Sequence, residues 1–149
     1  MKIKNLLFVA FFICLTNVYS QIKTKKITAK NQERFITTTI SYPVSGIYLY
    51  DEKKEPMIQL NTNGTGIYQY EDLTKKNITW GFECSEIGIP LFNEGFDSAS
   101  YSLWYKTNDK EDSEWIYAQF SIHFNKKKMY ISGERVKEYI EEVKNKILD

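Results

Sequence analysis

The sequence predicts a mainly β, antiparallel domain: an up-and-down barrel or strongly curved sheet of about eight strands, followed by one C-terminal α-helix. Three observations lead there. Alternating apolar and polar residues recur in short runs from Phe35 to Ser132, the period of a strand with one buried face. Turn-forming residues separate those runs. From Gly133 onward the apolar period lengthens to that of a helix.

The first twenty residues stand apart from this domain. Lys2 and Lys4 precede Leu6 to Leu15, an apolar run too short to cross a bilayer comfortably. Asn17-Val18-Tyr19-Ser20 follows, so residues 1–20 are expected to be a signal peptide cut between Ser20 and Gln21. Cys14 follows the bulky pair Phe12-Ile13, which does not suit a lipid-attachment cysteine. A periplasmic or secreted protein is expected, with no stable membrane span after cleavage.

Residues 21–34 carry five basic residues and one acid and read as an exposed basic arm. They lack interleaved aromatics, so they do not read as a nucleic-acid tail. The domain proper spans 35–149.

Phe35 to Tyr42 is β-branched and alternating until Pro43 breaks it. Gly46 to Tyr50 is a second strand, with Ile47 and Leu49 on one face and Tyr48 and Tyr50 on the other. Asp51 to Lys54 is a charged turn. Met57 to Thr62 and Thr65 to Tyr70 flank Asn63-Gly64, which favours a type I′ hairpin. Pairing Thr62 with Thr65 puts Ile58, Leu60 and Ile67 on one face, and Met57, Tyr68 and Tyr70 on the other.

Asn77 to Gly88 is the next strand, with Ile78, Trp80, Phe82 and Cys84 sharing a face. Gly88 to Ser98 reads as the longest loop. Ala99 to Lys106 sets Tyr101, Leu103 and Tyr105 against Ser102 and Trp104. After the acidic turn Thr107 to Ser113 comes the longest strand, Trp115 to Phe124. Its inward set is Ile116, Ala118, Phe120, Ile122 and Phe124, opposite Trp115, Tyr117, Gln119, Ser121 and His123. Lys128 to Ser132 is a short last strand. Val136, Tyr139, Ile140, Val143 and Ile147 then recur at helical spacing, predicting a helix over 133–148 with Ser132 as its N-cap.

Composition narrows the function classes. Loss of residues 1–20 removes two lysines, leaving 18 basic and 19 acidic residues and a charge of −1. Such a balance steers neither nucleic acid nor an anionic membrane. Cys14 is lost as well, so Cys84 stands alone and no internal disulfide forms. About 129 residues remain, enough to hold a fold by its core.

Candidate chemistry is sparse. Cys84 could be a nucleophile, but its parity places it among apolar residues, where a thiol behaves as a small hydrophobe. His123, the only histidine, lies on a polar strand face, and no His/Cys cluster has zinc-ligand spacing. Glu83 and Glu86 could pair for glycoside hydrolysis, yet three positions apart on a strand they face opposite ways. Asp109, Glu111, Asp112 and Glu114 could touch calcium, but the loop lacks the glycine and terminal glutamate of an EF-hand. No catalytic motif and no cofactor are expected.

The abundant aromatics are the remaining candidates. Tyr48, Tyr50, Tyr68, Tyr70, Trp104, Trp115 and Tyr117 lie opposite the aliphatic faces of their strands and are the tentative ligand-binding set. They would either cover the sheet or present a surface to an apolar or sugar-like molecule.

Gly46-x-Tyr48 at the start of an early strand is similar to the Gly-x-Trp of the lipocalin-like β-barrels of exported bacterial proteins. Arg135, just after the last strand, is similar to the basic residue that packs across the barrel base in that superfamily. The layout of residues 40–148 and the turn Asn63-Gly64-Thr65-Gly66 also resemble such domains. The resemblance implies a barrel that binds or carries a small apolar molecule, and it transfers no catalytic residue. The leading expectation is therefore non-enzymatic binding of a small hydrophobic or amphipathic ligand. The alternative is an envelope protein-interaction or inhibitor module using an exposed aromatic face.

Overall fold

A computed structural model describes residues 23–50, 56–132 and 134–141. The signal peptide, its cleavage site, the turn at 51–54 and the tail from 142 lie outside them. Within them the chain is all strand and turn, and no helix is long and apolar enough to cross a membrane. The strands are β1 (Thr24–Ala29), β2 (Gln32–Thr37), β3 (Gly46–Tyr50), β4 (Pro56–Leu60), β5 (Thr65–Gln69), β6 (Lys75–Cys84), β7 (Phe92–Gly95), β8 (Ser98–Thr107), β9 (Ile116–His123), β10 (Lys128–Ile131) and β11 (Glu134–Glu141).

All pairings are antiparallel, in the order β1-β2-β6-β5-β4-β3-β11-β10-β9-β8-β7. The long strand β6 organises this curled sheet. Its first half pairs with β5 and its last residues with β2, while β8 lies along its other edge. Ile78, Trp80, Phe82 and Cys84 are all buried, as their alternation requires. They join Tyr48, Ile58, Leu60, Leu103, Phe120 and Ile122 around one main core, except that Cys84 lies outside the cluster itself. Fully burying one such side chain is worth about 1.5–3 kcal/mol.

Residues 24–34, read from composition as part of an exposed arm, form a hairpin instead. Lys30 and Asn31 both take positive φ (50° and 61°) between the paired residues Ala29 and Gln32. That is the backbone of a type I′ turn. The lysines face solvent, but Ile27 and Ala29 are buried with Ile36 and Trp104 in a second, smaller core. β8 is therefore covered on both faces, Leu103 in the main core and Trp104 in the second.

The turn expected at Asn63-Gly64 has a different form. Gly64 N donates to Asn61 O (3.0 Å) and Asn61 N to Thr65 O (2.9 Å), and only Gly64 has positive φ. A three-residue loop with a glycine bulge results, rather than a two-residue turn. The register slips by one residue: Ile58 faces Tyr68, Leu60 faces Gly66, and Gln59 faces Ile67. Tyr68 thereby joins the face of Ile58 and Leu60, and Ile67 leaves it. Gly66 is obligatory here, because a Cβ would sit 2.2 Å from Gln59 O.

The helix expected from 133 is replaced over 134–141 by β11, which bridges β10 and β3. A bulge between Val136 and Glu138 sets position 136 opposite Tyr50 and position 139 opposite Tyr48. Residues three apart then share one side of the ladder, which reproduces the start of a helical spacing within a strand. Ser132, expected to cap the helix, takes φ 53° between the paired residues Ile131 and Glu134.

Candidate functional site

The tentative aromatic set does not converge. Tyr48 is fully buried in the main core, edge-on to Phe120 at 5.9 Å, and its hydroxyl donates to Val44 O. The expected face of β3 is thus inverted, because Tyr48 lies opposite Ile58 in the register. Burial is tolerated since the hydroxyl has a partner. Tyr68 stacks on Tyr105 at 5.1 Å and meets Tyr70 edge-on at 5.0 Å. Burial pushes the Tyr68 hydroxyl pKa up. Tyr70 itself is exposed. Tyr50 is described only as a β3 backbone position.

Trp104, Trp115 and Tyr117 do meet, outside the main core. Trp104 touches Tyr117 at 5.5 Å, and Trp115 packs against the second core. Cations of the N-terminal hairpin, and Lys106 of β8, lie over these rings. Arg34 is 5.0 Å from Trp104, Lys30 5.9 Å from Tyr117, and Lys25 and Lys106 each 5.9 Å from Trp115. Each contact is worth about 0.5–1 kcal/mol at such sites. The basic stretch and part of the aromatic set, separate in the sequence, here form one structural joint.

Glu83 is the centre of that joint. Its Oε1 lies 2.5 Å from Arg34 Nη1, and its Oε2 accepts a 3.0 Å bond from Trp104 Nε1. Arg34 also donates to Gln32 at 2.7 Å. With both oxygens engaged, Glu83 holds β2 to β6 and β8. Glu86 lies exposed in the following turn.

The other candidates are equally quiet. Cys84 is buried, and desolvation, with Glu83 nearby, raises its thiol pKa away from the reactive thiolate. His123 is half-buried and edge-on to Tyr130 at 5.3 Å. Asp109 is held by Thr107 and by Lys76, 2.9 Å away, which draw its pKa down to about 2. Among the described residues no group of three His, Cys, Asp or Glu side chains could hold a metal ion.

One feature was not anticipated. Between β6 and β8, where a long loop was expected at 88–98, residues 85–91 leave the sheet as a projection and 92–95 rejoin it as β7. Cys84 bridges to Pro90, Ser85 N donates to Ile89 O (2.8 Å), and Leu91 N donates to Glu83 O (2.9 Å). Gly88 closes the tip at φ 89°, its N–H donating to Ser85 O at 2.9 Å. On this braced support Ile87 is 76% exposed, Ile89, Leu91 and Phe92 are about half exposed, and Phe96 is fully exposed. Five large apolar side chains within ten residues are exposed, and exposed apolar surface at this density marks an interaction site. The available signal was the density of Ile, Leu and Phe among the turn residues Gly88, Pro90 and Gly95.

No family model, no curated protein and no solved structure matches this chain.

Proposed function

We propose that this protein is an exported, non-enzymatic interaction module that recognises another protein through the projection at 85–96. One contrast carries the reading. Tyr48, Trp80, Phe82, Phe120, Ile58 and Leu60 in the main core are at 0–1% exposure, while five large apolar side chains stand in solvent. A carrier of small apolar molecules would need the reverse arrangement, an open apolar interior.

A closed, lipocalin-like barrel is the framework we propose for this module. Its support is the run of pairings β6-β5-β4-β3-β11-β10-β9-β8, which returns from β8 to β6. Further support is Tyr48, packed into the core, whose Gly46-x-Tyr48 setting is similar to the Gly-x-Trp of that superfamily. Export rests on the lysine-led apolar run ahead of Gln21.

The test is site-specific photocrosslinking in the host. A photoreactive residue at Phe96 is expected to yield a discrete protein adduct, and one at exposed Thr28 on β1 is not. Equal labelling at both positions, or none at Phe96, would contradict the reading.

A further inference from the structure

We infer that the projection and the free edge of β7 together receive an extended protein segment, which adds as a strand and carries apolar side chains flanked by Lys or Arg. This rests on the protein-interaction reading above and names the partner's chemistry. β7 ends the ladder: it pairs with β8, its four residues are all exposed, and no second strand flanks it among the described residues. A free edge offers unpaired N–H and C=O groups to an incoming strand. The opposite end of the ladder is guarded, because β1 and its turn carry Lys25, Lys26 and Lys30. Lysines on an edge disfavour pairing. β7 has none; exposed Phe92 opens it, and exposed Leu91 and Phe96 bracket it.

Along residues 85–95 themselves, charge favours a basic occupant. From Asn77 to Tyr105 the chain has four carboxylates and no Lys or Arg. Arg34 neutralises Glu83. Glu86 and Glu94, both exposed, have no ion pair among the described residues. A second copy paired edge to edge through β7 would set Glu94 opposite Asn93 and bring it no cation, since β7 holds no Lys or Arg. A basic, apolar strand suits both the charge and the surface. The braced turn at Ser85–Gly88 presents that surface already formed, which limits the ordering cost of binding.

The test uses the full mature chain and synthetic twelve-residue peptides. The first alternates Val and Thr and carries two Lys at each end. The second carries Glu in place of those Lys. The third is the first with backbone N-methyl groups on alternate residues. Fluorescence anisotropy is expected to show the Lys peptide binding about tenfold or more tighter than the Glu peptide, with affinity falling as salt rises. The N-methylated peptide should not bind. Replacing Phe96→Ser together with Ile87→Ser should weaken binding without unfolding the chain, since both side chains are solvent-exposed. Equal binding of Lys and Glu peptides, full binding of the N-methylated peptide, or no binding of any would overturn the inference. Preferential binding to phosphatidylcholine vesicles would overturn it too, in favour of a membrane contact. If the peptides fail while the Phe96 photoadduct persists, only strand addition falls. If both fail, the interaction reading falls as well.

Discussion

Arg34 grips Glu83 at 2.5 Å across β2 and β6, and its guanidinium lies over Trp104, whose indole N–H donates to the same carboxylate. Each partner is mostly buried, so each depends on the other. Arg34→Ala should destabilise the protein by about 2–4 kcal/mol, because it leaves a desolvated carboxylate unpaired. Glu83→Gln, which keeps an acceptor for Trp104, should cost less. Urea unfolding of the single and double variants would measure the coupling. Additive effects would show that the contact contributes nothing as a pair.

The second prediction concerns Cys84. The residue is 3% exposed, and its thiol pKa is raised by burial, with Glu83 nearby. A thiol reagent should label the native protein slowly and the denatured protein fast. Rapid native labelling would mean that the end of β6 opens.

A third concerns two glycines held by close approach. A Cβ at Gly66 would meet a backbone oxygen at 2.2 Å, and one at Gly81 would meet Ile36 Cβ at 2.9 Å. Gly66→Ala should prevent normal pairing of β4 with β5. Gly81→Ala should shift the β1–β2 hairpin and cost about 1–3 kcal/mol, the scale of overpacking. Thermal unfolding of the two variants should rank them in that order.

A fourth uses pH. The Asp109 pKa is about 2, held down by Thr107 and Lys76, against an ordinary value of 3.8. A carboxyl lowered on folding contributes stability above its unfolded pKa and loses it as pH falls through the folded one. The contribution should therefore fade between about pH 4 and about pH 2, and Asp109→Asn should remove that step. Because the group is open to solvent, raised salt should shrink the effect. An NMR titration giving Asp109 an ordinary carboxylate pKa would contradict this.

How much was legible before the structure depends on what each residue reports. The alternation of β6 and the centre of β9 was plain, because Phe82, Phe120 and Ile122 are apolar on a single buried face. The ends of β9 misled, since Ile116 and Phe124 continue the pattern into solvent. β3 was read with its faces inverted. Tyrosine looks like a surface residue until its hydroxyl finds a carbonyl, as Tyr48 does at Val44. The slip between β4 and β5 came from one glycine, whose bulge changes the loop length without changing the residues that flank it.

β1 carried no alternation strong enough to compete with its lysines, and only tertiary contact with Trp104 reveals why Ile27 and Ala29 are apolar. Over 134–141 a bulge imitated helical spacing. The site was the least legible part. Glu83 and Arg34 are 49 residues apart, and the projection shows itself only once Ile87 and Phe96 prove to be uncovered.

Mature protein recovered from its host should begin at Gln21 on N-terminal sequencing, as the apolar run at 6–15 predicts. A retained Met1 would contradict export by signal cleavage.

The central claim is that the protein binds with its outside and not its interior. Native mass spectrometry of protein purified gently from its own host tests it most directly. The account predicts the mass of the chain with no small apolar molecule retained, and an added protein partner that is lost on replacing Phe96→Ser. A small lipophilic molecule that co-purifies in stoichiometric amount and survives that replacement would contradict it.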